Sequence, residues 1–230
     1  MWHAKRTGGY SYPEQEYIDN VWEAYYLLSD ASTTTPLSGD AWSLYAICGM
    51  LGNATAESGL NPWRWNSIGA YGLVQFYPST YYIGGRGVGK SGYAPSTSPS
   101  ASGDGANASD GKAQLLVVDD PSGTKYIYNQ QRADKARDLD WSVLEWNSIN
   151  AYKMCDSLEE ATQAFLLFYE YPTTDLNELR AEYNTRKGYA DTVYQILTGT
   201  PPIPPTPTSR GKMPLYMYTL KRYRMKRGLF

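Results

Sequence analysis

Residues 41–57 constrain the fold most, because their pattern predicts a long buried helix that ends on a carboxylate. Apolar side chains recur there at intervals of three and four residues, the spacing of one helical face: Trp42, Leu44, Ile47, Cys48 and Leu51. Asp40 precedes this helix as its predicted N-cap, and Gly59 and Pro62 follow it as helix breakers. Glu57 therefore falls in the last turn, where its charge opposes the helix dipole.

The same spacing recurs along the chain and predicts a mainly helical domain. Helices are expected over 14–28, over 130–152, after a capping box formed by Ser157 and Glu160, and over 176–197.

Two segments show the turn residues of short β-structure. Residues 66–83 predict a hairpin with Gly69 and Gly72 at its turns. Residues 115–128 predict two short strands around an Asp-Pro-Ser-Gly turn. The expected fold class is therefore α+β and mainly helical.

Composition divides the chain into a body and appendages. A Gly- and Ser-rich segment, residues 84–112, predicts a long loop within the body. Residues 201–230 carry seven basic and no acidic residues, whereas residues 1–200 carry 14 basic and 23 acidic ones. The expected divisions are an N-terminal arm at 1–13, a body at 14–198, a Pro-rich linker at 199–209 and a basic tail at 210–230.

The scarcity of histidine and cysteine excludes several kinds of active site. The chain has one histidine, His3, and two cysteines, Cys48 and Cys155. These residues cannot supply the usual His/Cys zinc site, and a Ser-His-Asp hydrolase would depend on His3. We expect no metal, no other cofactor and no Cys48–Cys155 disulfide. The chemistry then falls to carboxylates, tyrosine, lysine or bound water.

The sequence contains no apolar run of the length that crosses a membrane. The N-terminal residues also lack the apolar segment of a classical signal peptide. If the protein acts outside the cell in which it is made, we therefore expect a route of delivery other than a cleaved signal.

Aromatic side chains are abundant, with 7 Trp, 22 Tyr and 4 Phe. Such side chains suit both protein cores and sugar-binding clefts, because they combine a flat apolar face with a polar group in Tyr and Trp. Trp63, Trp65 and Tyr71 follow Glu57 closely in sequence. We expect them to form an apolar wall beside the carboxyl group or to stack on a sugar.

Three blocks of sequence resemble the phage tail lysozyme family. The first is Ile-Cys-Gly-Met-Leu-Gly-Asn at 47–53, followed by Ala-Glu-Ser at 56–58 and Asn-Pro at 61–62. The second is Gly-Leu-Val-Gln at 72–75, and the third is Phe-Leu-Leu-Phe-Tyr-Glu-Tyr-Pro at 165–172. Their order and spacing frame residues from about 14 to 197.

The resemblance implies a lysozyme-like fold, in which a helical body and a small β-hairpin lobe enclose a glycan cleft. The body at 14–198 would then be the catalytic domain. Glu57 matches the family's catalytic glutamate, which as a general acid protonates the glycosidic oxygen. Gln75 matches the polar hairpin residue that faces the cleft. Tyr169 and Glu170 match the Tyr-Glu pair of the third block. We expect Tyr169 to contact the substrate, and Glu170 is a possible second acid.

A second catalytic carboxylate is not evident near the first. No Asp or Glu lies between Glu57 and Gln75, so a covalent retaining mechanism is doubtful. Asp104 and Asp110 in the loop, or Glu170, are candidates to activate water. Alternatively the substrate's own N-acetyl or hydroxyl group takes part, as in lytic transglycosylases, or the domain binds glycan with little turnover.

The sequence thus favours a peptidoglycan glycosidase carried in a phage virion, in its tail, that degrades the host wall locally during entry. The alternatives are a non-catalytic glycan-binding component of the tail tip and an endolysin released at lysis. Residues 201–230 are expected to dock on tail or other virion proteins. Nucleic-acid binding by this basic tail is the less favoured alternative.

Overall fold

The computed structural model describes residues 2–5, 8–30, 41–77, 110–120 and 126–199. The internal contacts divide the chain into Met1–Gly199 and Thr200–Phe230, and all described residues belong to the first unit. The predictions for Asp104, for most of the 84–112 loop, for residues 78–83 of the hairpin and for the 201–230 tail lie outside the described ranges.

The described residues form a mainly helical body, as the sequence predicts. Its α-helices are α1 (Gln15–Leu28), α2 (Leu44–Ser58), α3 (Asp110–Asp119), α4 (Gln130–Asp138), α5 (Ile149–Lys153), α6 (Leu158–Phe165) and α7 (Leu176–Thr198). A π-helical turn, Leu166–Glu170, directly follows α6. In these parts of the chain no helix is long and apolar enough to cross a membrane.

Helix α2 lies at the centre, and two glycines let its neighbours approach closely. A Cβ atom at Gly49 would lie 2.7 Å from the Cβ of Ala161 on α6. A Cβ atom at Gly52 would lie 2.7 Å from the Cβ of Ala190 on α7. Both distances are far below a van der Waals contact, so only glycine fits at these points.

The start of α2 differs from the sequence prediction. The N-cap is Ser43 rather than Asp40, since the Ser43 hydroxyl accepts a hydrogen bond from the Ala46 N–H at 3.0 Å. That hydroxyl also donates to the Cys155 carbonyl. Trp42 therefore precedes the helix, and its indole N–H donates to Asp119 Oδ1 at 2.7 Å.

Residues 110–119 form helix α3, so the prediction of a strand beginning at residue 115 is wrong. Four successive apolar side chains, residues 115–118, are all buried, and such a run does not distinguish a buried strand from a buried helix. The helix ends at Asp119, which forms a fully buried ion pair with Lys153 at 2.8 Å. Residues 121–125 lie outside the described ranges.

The helix predicted over 130–152 is two helices, α4 and α5. Helix α4 ends at Asp138, with Leu139 as its C-cap. Asp140 then takes a left-handed conformation with φ 58°, which Asp tolerates better than most residues. The chain turns there and continues to the N-cap of α5 at Ser148. The predicted helices over 14–28 and 176–197 match α1 and α7 closely.

The described part of the predicted hairpin is a compact series of turns. Two isolated antiparallel bridges join Trp65 to Tyr71 and Tyr71 to Phe76. Gly69 and Gly72 have φ values of 85° and 84°, as expected of residues that make turns. Residues 64–77 contain no β-structure beyond these two bridges.

The described residues of the N-terminal arm are attached to the helical body. The Asn61 side chain donates to the carbonyls of Lys5 and Gly8 at 2.7 Å each. Trp2 is buried against Gly111 of α3. Cys48 and Cys155 are buried free thiols.

We expect Gly52→Ala to lower the free energy of unfolding by about 1–3 kcal/mol, because the new methyl group overlaps Ala190. Gly188→Ala on α7 is the matched control, since no described atom lies within 4 Å of its added Cβ. That control should be neutral or stabilise the protein by up to about 1 kcal/mol. Urea denaturation followed by circular dichroism measures both, and equal effects would contradict the close α2–α7 contact.

Candidate active site

Glu57 lies in the last turn of α2, where the sequence predicts it. The helix ends at Gly59, whose φ of 61° is left-handed and whose N–H donates to the Thr55 carbonyl at 2.8 Å. The side chain of Glu57 retains 23% of its exposure, although the helix around it is buried. The carboxyl group therefore stands at the surface on a rigid support.

The end of α2 is joined to the turn that carries the Gly-Leu-Val-Gln motif. The Ser58 hydroxyl donates to the Leu73 carbonyl at 2.8 Å. The Leu73 N–H in turn donates to Gln114 Oε1 of α3 at 2.7 Å. Gly72 lies against the same Gln114 amide, so closely that a side chain there would collide with it. These bonds fix the turn relative to Glu57.

Arg186 of α7 binds Glu57 directly. Its Nη2 donates to Glu57 Oε1 at 2.7 Å and lies 3.1 Å from Glu182 Oε2. Its Nη1 donates to the carbonyl of Asn53, one turn before Glu57 on α2, at 3.2 Å. The guanidinium is only 4% exposed. Two of its nitrogens thus hold the last turns of α2, and the carboxyl group keeps one fixed direction.

Arg186 remains charged despite its burial. Burial alone would lower the pKa of Arg186, but the carboxylates of Glu57, Glu170 and Glu182 raise it above the usual arginine value. Glu170, at the end of the π-helical turn, therefore lies within electrostatic reach of the guanidinium that binds Glu57. The structure brings together two of the acids that the sequence singled out, Glu57 and Glu170, around one arginine.

The two oxygens of the Glu57 carboxyl group lie in different surroundings. Arg186 occupies Oε1, and no described residue donates a hydrogen bond to Oε2. The second oxygen is therefore the one left open to a bound ligand.

Gln75 supports the turn on which it lies. Its Nε2 donates to the carbonyls of Gly72 at 2.9 Å and Arg64 at 3.2 Å. Its backbone is left-handed, with φ 44°. Its Oε1 is buried and accepts no hydrogen bond from the described residues. The amide nitrogen thus stabilises the turn, and the amide oxygen can accept a hydrogen bond from another donor.

Trp63 and Trp65 are half-buried in the same turn region. The indole N–H groups of both are buried and donate to no described residue. The Trp65 ring lies against Tyr71, with centroids 4.8 Å apart. The two indoles thus combine partly open faces with unused donors, a combination that suits a sugar.

Tyr71 and Tyr169 belong to the core instead. Tyr71 is fully buried. Tyr169 is also buried and stacks on Phe165, with centroids 4.5 Å apart. Neither ring presents a face on which a sugar could stack. Asp110 is the first residue of α3, and Asp104 lies outside the described residues.

Arg186 is the residue of the candidate site that the sequence patterns do not indicate. It is 129 positions from Glu57 in the chain, so no local pattern joins them. A signal was nevertheless present: the buried stripe of α7 is apolar except at this residue and consists of Leu179, Tyr183, Arg186, Ala190, Val193 and Ile196. A charged residue on such a stripe requires a buried partner.

Comparison with known proteins identifies the family of the chain. The profile of the phage tail lysozyme family matches residues 32–197. Morphogenesis protein 1 of Bacillus phage B103 is 44% identical over 48 residues, which are 18% of this chain and 13% of that relative. The chain thus matches only a small part of the relative's length. Because the family match spans more than half of the chain and includes Glu57, Gln75 and Arg186, the protein belongs to the phage tail lysozyme family.

Proposed function

We propose that the protein is a virion-associated peptidoglycan glycosidase that opens the host wall locally during phage entry. The observation that carries this proposal is the Glu57–Arg186 pair. It places a partly exposed carboxyl group at the end of a buried helix and fixes its direction with a buried cation. Membership of a lysozyme family supplies the substrate class, and the glycan cleft is proposed to run past Glu57 Oε2.

Glu57 acts as the general acid in this proposal. Its Oε2 gives a proton to the glycosidic oxygen, the C–O bond to the anomeric carbon breaks, and the leaving sugar departs as an alcohol. The electron pair of that bond stays on the departing oxygen, so the remaining sugar becomes oxocarbenium-like. Arg186 stabilises the Glu57 carboxylate that this transfer produces.

Glu170 is the favoured second acid. It shares the electrostatic neighbourhood of Arg186 with Glu57. It is the last residue of the π-helical turn and, unlike the other four residues of that turn, is partly exposed. In the inverting version of the reaction it removes a proton from the attacking water. A substrate N-acetyl or hydroxyl group is the alternative nucleophile, which would give cyclic or anhydro products.

Trp63, Trp65 and Gln75 are proposed to contact the glycan. The two indole N–H groups and the Gln75 carbonyl oxygen are buried polar atoms that no described residue satisfies, and hydroxyl and acetamido groups of a sugar would satisfy them. Together with Tyr71, which packs behind Trp65, the turn would form the small lobe of a lysozyme-like fold.

Residues 201–230 are proposed to attach the enzyme to other virion proteins. The relative in phage B103 is named a morphogenesis protein, and particle assembly needs a docking segment. The seven basic residues of this segment contrast with the acidic body, which suits a partner with an acidic surface.

We expect Glu57→Gln to reduce wall cleavage by about 10²–10⁴-fold, because the amide keeps the shape but has no transferable proton. Glu182→Gln is the matched control, because it removes the other carboxylate that is ion-paired with Arg186. We expect this variant to reduce wall cleavage by less than about tenfold. The measurement is release of soluble fragments from purified peptidoglycan, with mass spectrometry of the products. Reducing ends indicate hydrolysis, and anhydro ends indicate transglycosylation.

A Glu57→Gln protein with near-normal cleavage would overturn the assignment of the general acid. A wild-type protein that releases no fragments but sediments with the wall would instead support the non-catalytic, glycan-binding alternative. Thermal unfolding of both variants is the check that they remain folded.

We expect Arg186→Gln to lower kcat by about 10²-fold with little change in KM, because Glu57 loses its fixed direction while the sugar contacts remain. Arg186→Lys should recover part of this loss, since it retains the charge without the two-pronged geometry. Steady-state kinetics on soluble glycan fragments separates the two constants. A proportional rise in KM with unchanged kcat would show that Arg186 binds substrate instead.

Truncation after Thr200 should leave the rate of cleavage of purified peptidoglycan within about twofold of that of the full chain, which corresponds to a free-energy difference of about 0.4 kcal/mol. The truncated protein should fail to enter phage particles, as measured by immunoblotting of purified virions. If the truncated protein remains folded but no longer cleaves peptidoglycan, the tail is part of the catalytic site.

A further inference from the structure

A cavity of about 510 Å³ lies between α6, α7 and the turn after α4. Neither Glu57 nor Arg186 lines it. The lining residues that matter for its chemistry are Asp140, Trp141, Glu159, Glu160, Arg180 and Tyr183. Every one of these residues lies in the described part of the chain.

The floor of the cavity is aromatic but closed to stacking. Trp141 and Tyr183 are each only 9% exposed. Their rings contact each other, with centroids 5.4 Å apart and planes inclined by 57°. A sugar ring needs an open aromatic face, and neither residue offers one. The floor therefore favours a small group over a carbohydrate.

The Tyr183 hydroxyl is an unused polar group in this floor. It is buried, and although Glu159 and Gln163 face it, no described residue completes a hydrogen bond with it in favourable geometry. Burial, followed by the negative charge of Glu159, raises the pKa of the Tyr183 phenol above its usual value. The group is thus a neutral hydroxyl, and a buried hydroxyl without a partner costs free energy unless a ligand satisfies it.

The rim of the cavity is acidic and partly preorganised. Glu160 Oε2 accepts a hydrogen bond from the Trp146 indole N–H at 2.9 Å. Glu159 Oε1 accepts one from Gln163 Nε2 at 3.3 Å. With Asp140, these carboxylates outnumber the one cationic side chain of the lining, Arg180. The lining therefore attracts a cation.

We propose that this cavity binds a primary alkylammonium group, as carried by the diamino-acid side chain of a peptidoglycan stem peptide. An ammonium group has three N–H donors, which match the rim carboxylates and the buried Tyr183 oxygen. Its alkyl chain would lie over the closed aromatic floor. The assignment to a wall peptide rests on the proposed function, whereas the binding of an alkylammonium group does not.

The test uses the full chain carrying Glu57→Gln, so that no cleavage complicates the binding measurement. The probe is Nα-acetyl-L-lysine amide, and the matched control ligand is Nα-acetyl-L-norleucine amide, which lacks the ammonium group. Titration followed by NMR should show lysine-amide shifts at Trp141 and Tyr183, with norleucine amide at least about tenfold weaker. Equal binding of the two would overturn the proposal.

Three variants in this background sharpen the test. Glu159→Gln should weaken lysine-amide binding about two- to fivefold, as expected for an exposed ion pair. Tyr183→Phe should weaken it about two- to tenfold by removing one acceptor. Arg180→Gln should tighten it about two- to fivefold, because the competing positive charge is gone. Weaker binding in Arg180→Gln, or tighter binding of a chitooligosaccharide than of lysine amide, would contradict an ammonium site.

The source of the ligand is tested separately with soluble wall peptides. Peptides with free side-chain amines should bind, and the same peptides after N-acetylation should lose binding at least about tenfold. If lysine amide binds but neither wall peptide does, the ammonium site stands and its assignment to the wall is wrong. That result is independent of whether the wild-type protein cleaves glycan.

Discussion

The close approach of α2 to α7 is the constraint on which the rest of the molecule depends. Gly52 and Ala190 meet with no room for another side chain, and this contact fixes how the two helices lie along each other. One turn further along α2, and one turn back along α7, the same alignment places Glu57 opposite Arg186. A larger residue at the contact would separate the helices and lengthen the ion pair. The glycine that removes bulk from the core thus also determines the geometry of the candidate active site.

Burying an arginine is costly, and the arrangement around Arg186 shows how the cost is offset. Its charge is surrounded by three carboxylates, from Glu57, Glu170 and Glu182, and it also binds the Asn53 carbonyl. Such a cluster adds little to stability compared with apolar packing of equal volume, because desolvation cancels much of the Coulomb attraction. Its advantage is direction: an apolar neighbour would leave Glu57 free to rotate at the helix end. The fully buried Lys153–Asp119 pair joins the end of α5 to the end of α3.

The parts of the fold that could be predicted from sequence are those governed by local pattern. Helices α1 and α7 follow from their 3/4 spacing, and Gly69 and Gly72 from the conformations that turns require. Helix α3 could not be predicted, because burial on all sides removes the periodicity that separates helix from strand. Glu57 was found through a sequence block, whereas Arg186 was not, because its partner is distant in the chain and the pair exists only after the helices pack. Long-range charge pairing is a property of the tertiary structure.

Helix α7 carries residues of both the Glu57 site and the acidic cavity. Tyr183 and Arg186 are three residues apart on its buried stripe, so their side chains lie on neighbouring turns of one face. Arg186 faces α2 and its carboxylate, whereas Tyr183 faces Trp141 and the acidic cavity. A glycan held at Glu57 and a peptide stem held at the cavity would therefore be positioned by the same rigid helix, with no loop between them. If both proposals hold, cutting the strand and recognising its substituent are linked, because the distance between the two sites is set by the helix itself.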